Sequence, residues 1–209
     1  MPHAFDIAVI GATGSVGETL VQLLEELDFP VGELHLLASL ESAGSSVAFR
    51  GRNVRVREVE RFDFTQVQLA FFAAGPEVSR RLADKALAAQ CSVIDLSGGL
   101  EQAPVVVPEV NGARLAQVAR PALVASPSTA TISLAVALAP LRALLDIERI
   151  QLTACLAVSA QGREAVTELA RQTAELLNAR PLEPRFFDRQ MAFNLLAQVG
   201  PNEDRKSVV

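Results

Sequence analysis

The sequence predicts an α/β protein built on a doubly wound, mostly parallel sheet. Short apolar runs alternate with segments of helical periodicity along most of the chain, and such alternation implies parallel strands with helices on both faces. The first apolar run, Asp6–Ile10, ends in a glycine turn that opens directly into a helical pattern. There is no internal repeat and no low-complexity linker.

The elements follow in order. Val16–Glu26 has helical spacing through Val16, Leu20, Leu23 and Leu24. Leu34–Ala38 and Val67–Phe72 read as buried strands, Glu77–Ala89 as a helix, and Ser92–Asp95 and Ala122–Ala125 as further strands. Thr131–Leu145 resumes a helical pattern and Glu148–Val158 is strand-like. Arg163–Asn178 is amphipathic, with Val166, Leu169, Ala170, Thr173 and Leu177 on one face.

Composition narrows the class of function. With 209 residues, 50% of them hydrophobic, the chain is long enough to bury one or two cores. A net charge of −5 and the lack of Trp and Tyr argue against nucleic acid or an anionic membrane as partner. The N-terminal MPHAFD has no basic segment followed by an apolar one, and no apolar run reaches the roughly 18 residues of a membrane span. A cytoplasmic location is expected. Cys91 and Cys155 lie in apolar strand-like runs without metal-ligand spacing, so both are expected to be reduced core thiols and no metal is expected. The histidines, His3 in a terminal tail and His35 in an early strand-like run, have no evident cysteine partner.

The glycine turn carries the first chemical signal. Gly11-Ala12-Thr13-Gly14-Ser15-Val16-Gly17 lies between a strand and a helix. In that context backbone N–H groups and the helix N-terminus can face a pyrophosphate, while the glycines allow a tight turn and close approach. A Rossmann-type dinucleotide site is the functional reading; a glycine turn kept for packing alone is the structural one.

Eight segments in order resemble the aspartate-semialdehyde dehydrogenase family: IAVIGATGSVG (7–17), LLASLESAG (36–44), FFAAGPEVS (71–79), VIDLSGGL (93–100), VVPEVN (106–111), VASPSTATISL (124–134), LTACLAVSAQG (152–162) and MAFNLLAQVG (191–200). They span about residues 5–200, and their departures resemble the subgroup named USG-1. The resemblance implies an NAD(P)-binding domain over residues 1–128 and part of an α+β dimerisation and substrate domain over 129–209. It further implies cofactor contacts at Gly11, Thr13, Gly14, Ser15, Val16, Gly17, Glu41, Ser42, Ala74 and Gly75, substrate contacts at Ser159 and Gly162, and a homodimer as the full-length state.

Four positions depart from the family pattern. In V-A-N-P-N-C-S-T-I-x-L the cysteine attacks an aldehyde or acyl phosphate; here Thr129 takes its place. An alcohol stays protonated unless a positioned base takes its proton, whereas a thiol is partly ionised near neutral pH. In S-x-R-S-A-G the arginine meets the 2′-phosphate of NADP; here Glu41 repels a phosphate but can accept from a ribose hydroxyl, favouring NAD. In D-N-S-S-A-F-R the arginine holds the substrate's phosphate; here Glu101 stands in its place. At about 4 Å and an effective dielectric of about 20, that reversal turns an attraction of roughly 4 kcal/mol into a repulsion. Finally, the glutamine that orients the substrate corresponds to Leu156, which can neither donate nor accept a hydrogen bond.

Loss of polar site groups within an otherwise familiar framework predicts a catalytically deficient relative that binds NAD or NADP, with no cofactor at all as an equal reading. The alternative is an active NAD(P)-dependent aspartate-semialdehyde dehydrogenase, or a related aldehyde oxidoreductase, in amino-acid biosynthesis. Family chains continue well past this one, and the resemblance stops after about Val199. Asp204–Val209 back-translates to a common sequencing-adapter run, so a truncated chain is expected.

Overall fold

The computed structural model describes residues 4–142 and 144–197. His3 and the segment 198–209 lie outside the described residues. The chain folds as two compact units, Met1–Ala154 and Cys155–Val209.

The first unit is a sheet of seven strands: β1 (Phe5–Ile10), β2 (Val31–Ala38), β3 (Ser46–Phe49), β4 (Arg52–Glu58), β5 (Leu69–Phe72), β6 (Ser92–Asp95) and β7 (Leu123–Ala125). They lie in the order β3-β4-β2-β1-β5-β6-β7, with every neighbouring pair parallel except β3–β4. This is the doubly wound sheet that the alternation predicts. β1 is central because it is apolar on both sides. Ile7 and Val9 pack with Val21 and Leu24 of helix α1 (Ser15–Glu26), while Ala8 and Ile10 pack with Leu82 and Ala86 of helix α2 (Pro76–Ala88). Ile10 pairs with Leu37 and Phe72, Phe72 with Asp95, and Asp95 with Ala125. The carboxyl ends of β1, β2, β5, β6 and β7 are therefore level, and the loops that follow them share one edge.

The β3–β4 hairpin is absent from the elements expected of the sequence. Its signal is the Arg50-Gly51 turn, both residues at positive φ (49° and 71°), between two short alternating runs. The helix over Thr129–Arg142 starts two residues before the expected one, because Ser128 caps it, and ends before Leu145.

Two expectations need correction. Residues 148–157 form no strand, and Val158–Gln161 is a 3-10 turn. A strand exists only where another backbone satisfies its N–H and C=O groups, and no described residue pairs with this segment. In the second unit, the helix over Arg163–Leu177 buries Ala165, Glu168 and Gln172, not the apolar stripe; Val166 and Leu177 are exposed. The buried polar pair is satisfied. Glu168 accepts from Arg171, Gln172 and the Arg185 N–H, and Gln172 Oε1 accepts from the N–H groups of Met191 and Ala192 at 2.7 and 3.2 Å. Burial raises the Glu168 carboxyl, but these donors and the Arg171 charge outweigh it and hold its pKa at about 2. The short helix α3 (Pro108–Asn111) precedes the two longer ones, α4 (Thr129–Arg142) and α5 (Arg163–Leu177).

His35 is a packing residue. Its ring is 3% exposed, 5.3 Å from the Phe62 ring, with Nδ1 against the Arg57 guanidinium. Burial lowers its pKa, Arg57 lowers it further, and Glu33 opposes the shift only in part. A histidine kept neutral by folding leaves stability intact above its unfolded pKa of about 6.5 and removes it as pH falls below that value. Between pH 7 and pH 5 the wild type should therefore lose more stability than His35→Leu, as read by urea unfolding at each pH; equal slopes for the two proteins would contradict this.

Candidate functional site

The shared edge is built around the glycine turn. After β1, the N–H groups of Gly11 and Ala12 both donate to the Leu37 carbonyl at the end of β2 (2.8 and 3.1 Å), and Gly14 N–H donates back to Gly11 O at 3.0 Å. Gly11 has φ +84°, and a methyl group placed on it would lie 2.7 Å from the Ala73 carbonyl group. One on Gly17 would lie 2.1 Å from the Gly11 carbonyl oxygen. The first turn of α1 is thus pressed onto the loop that precedes it. Gly14 occupies its N-cap with no side chain capping the first N–H groups, and Ser15 and Val16 are exposed. Uncapped N–H groups at a helix start carry partial positive charge and suit an anion. Thr13 is half-buried in the same turn.

Three further loops meet this edge. Past β2, the N–H groups of Ser42 and Ala43 both donate to Ser39 O, which closes a turn with Ser42 half-buried and Glu41 exposed. Among the described residues Glu41 has no ion-pair partner. Past β5, Ala73 N–H donates to Ile10 O at 2.9 Å, Ala74 and Gly75 (φ +96°) make the turn, and Pro76 begins α2. The loop past β6 is pinned by Asp95 and places Glu101 at the surface, exposed. An open cleft of about 420 Å³ lies beside the Ala43–Gly44 turn, lined by Arg55, Arg57, Arg61, Phe62 and Asp63; no residue of the glycine turn borders it.

Beyond β7, Ser126 N–H donates to Asp95 O at 2.8 Å, and Ser128 caps α4 by accepting from Thr131 N–H at 3.3 Å. Thr129 is therefore the first residue of α4, exposed, and among the described residues its hydroxyl has no hydrogen-bond partner. No described side chain is placed to take its proton, and His35 is committed elsewhere. Cys91 is buried, and burial pushes its thiol up to about 12, far from an ionised nucleophile. Cys155 is exposed, which corrects its expected place in a core. In the second unit Leu156 and Ser159 are exposed, and Gly162 (φ +93°) forms the N-cap of α5. Among the described residues no group of His, Cys, Asp and Glu could hold a metal, and no helix is long and apolar enough to cross a membrane.

The edge thus brings together the glycine turn, the Glu41 loop, the Ala74–Gly75 turn, the Glu101 loop and Thr129. A parallel sheet whose strands depart in opposite directions from β1 opens its ligand site at this edge. The sequence is matched by the family model "Semialdehyde dehydrogenase, NAD binding domain" over residues 6–118 and by "Semialdehyde dehydrogenase, dimerisation domain" over 138–208. The chain belongs to the semialdehyde dehydrogenase family. It is 61% identical to the USG-1 protein homolog of Pseudomonas aeruginosa over 96% of this chain and 60% of that protein. It is also 44% identical to aspartate-semialdehyde dehydrogenase 2 of Vibrio cholerae over 95% and 60%. A solved structure of a probable aspartate-semialdehyde dehydrogenase from Pseudomonas aeruginosa superposes with a TM-score of 0.93 at 60% identity, over 97% of this chain and 61% of that one. The chain spans about three fifths of the length of these relatives.

The close approach at the glycine turn is testable by stability alone. Gly17→Ala drives a methyl group into backbone and should cost about 3 kcal/mol, the upper end of the usual overpacking range. Gly44→Ala, at φ +94° with nothing within 4 Å, carries only the conformational cost of about 1–2 kcal/mol. Urea unfolding of the two variants checks the order, and equal losses would contradict it.

Proposed function

We propose that this protein keeps the nicotinamide-dinucleotide site of its family and has lost thiol-dependent acyl transfer. Residues 1–128 then act as the NAD(P)-binding domain and 129–209 as part of the dimerisation and substrate domain of a cytoplasmic homodimer. The observation that carries the reading is Thr129: it stands at the first position of α4, where the family pattern has its cysteine, and among the described residues its hydroxyl has no proton acceptor. Attack on an aldehyde through an alcohol needs such an acceptor.

Three other residues support the same reading. Glu101 is exposed on the loop past β6, where a carboxylate repels a substrate phosphate. Leu156 cannot orient a polar substrate by hydrogen bonding. Glu41, exposed and without an ion-pair partner among the described residues, favours the ribose hydroxyls of NAD over the 2′-phosphate of NADP. The uncapped start of α1, beside Gly11, supports pyrophosphate binding at Gly11–Gly17, with Ser42, Ala74 and Gly75 bordering the cofactor.

A second reading is active NAD(P)-dependent reduction to an aldehyde, and one observation favours it: relatives 36–44% identical carry the name aspartate-semialdehyde dehydrogenase. One assay separates the two. The full-length natural protein, given aspartate semialdehyde, phosphate and either NAD or NADP, should produce no reduced cofactor above the uncatalysed background. Steady phosphate-dependent turnover would establish the second reading. In parallel, Glu41→Arg should raise the affinity for NADP relative to NAD by roughly tenfold, the size of one charge-assisted contact.

A further inference from the structure

Asp95 is fully buried at the end of β6. Its Oδ1 accepts from Ser79 Oγ at 2.8 Å and from the Ser97 N–H at 3.1 Å, and its Oδ2 accepts from the Leu100 N–H at 3.2 Å. Ser97 Oγ lies 2.7 Å from Asp95 Oδ1 and 2.8 Å from Ser79 Oγ, its single proton serving one of them, and it accepts from the Gly99 N–H at 3.0 Å. Ser97, Gly99 and Leu100 of the loop past β6 are thereby tied, through one carboxylate, to a hydroxyl on α2.

Ser79 is itself fully buried, in the first turn of α2. Packing does not require it, because alanine fills nearly the same volume, and an unbonded hydroxyl there would be costly. What the hydroxyl does is orient. A second contact joins the same two segments: a methyl group on Gly99 would lie 2.5 Å from the Pro76 carbonyl oxygen, so the loop and the first residue of α2 touch through backbone. The turn leading into Pro76 in its turn rests against Gly11.

From this geometry we infer that Ser79 is a positioning residue: through Asp95 and Ser97 it fixes loop 96–101 and, through the Gly99–Pro76 contact, the Ala74–Gly75 turn, so that ligand affinity at the sheet edge depends on a hydroxyl beneath it. The identity of the ligand rests on the cofactor reading proposed for this edge, and the positioning rests on the hydrogen bonds.

The test uses the full-length natural protein with Ser79→Ala and Ser97→Ala, singly and together. Three quantities are read: NAD affinity by calorimetry, the unfolding temperature, and amide hydrogen exchange. Each single variant should weaken NAD binding by roughly tenfold, with faster exchange confined to residues 73–75 and 96–101. The double variant should lose no more affinity than the weaker-binding single variant, because both remove one shared link. Unchanged affinity in both single variants, or exchange rising across the whole sheet in step with a lower unfolding temperature, would overturn the inference. Should the wild type bind no NAD, the cofactor reading fails separately, and exchange alone decides: loosening confined to the two loops upholds Ser79, and sheet-wide or absent loosening rejects it.

Discussion

Helix α1 can start where it does only because three backbone segments come within contact distance of one another. Gly17 presses on the Gly11 carbonyl, and Gly11 presses on Ala73 and Ala74. Neither position has room for a side chain, and Gly11 also sits at a φ that other residues rarely adopt. From this contact the rest of the edge follows. It sets the start of α1 beside the carboxyl end of β1, against the Ala73–Ala74 backbone, while the Gly11 and Ala12 N–H groups tie the same turn to the Leu37 carbonyl at the end of β2. The helix packs below by Val21 and Leu24, so the hydrophobic core holds the turn closed while the polar backbone faces outward.

Framework and chemistry are separable in such an arrangement. Residues that make the contact are glycines, alanines and core aliphatics, whose contributions are steric and hydrophobic. The positions that depart from the family pattern are single side chains on the rim, and replacing them costs the fold little where they are exposed: Glu41, Glu101 and Thr129 each lie at the surface. A protein of the semialdehyde dehydrogenase family can therefore retain its dinucleotide framework after its reactive groups have changed.

Much of the first unit was legible in the sequence. β1, α1, α2 and β6 follow from apolar runs and helical spacing because those patterns report directly on burial. The β3–β4 hairpin was not, since β3 (SVAF) is only four residues long and β4 (RNVRVRE) is mostly charged, so neither shows an extended apolar run. Segment 148–158 looks like a strand from β-branched and apolar content, but pairing is a non-local property that composition cannot supply. The buried side of α5 was hidden for another reason: Glu168 and Gln172 are interior because backbone N–H groups of Arg185, Met191 and Ala192 need acceptors, and polarity alone points them outward. Asp95 and Ser97 were visible only as members of a motif; their partner Ser79, on the helix that precedes β6, could be found only in three dimensions.

The central claim, that the dinucleotide site of the family is retained, is tested most directly by one calorimetric titration of NAD and NADP into the full-length natural protein. Saturable binding of both is predicted, with NAD the tighter. A folded protein that takes up neither cofactor would contradict the claim and leave the glycine turn as a packing device.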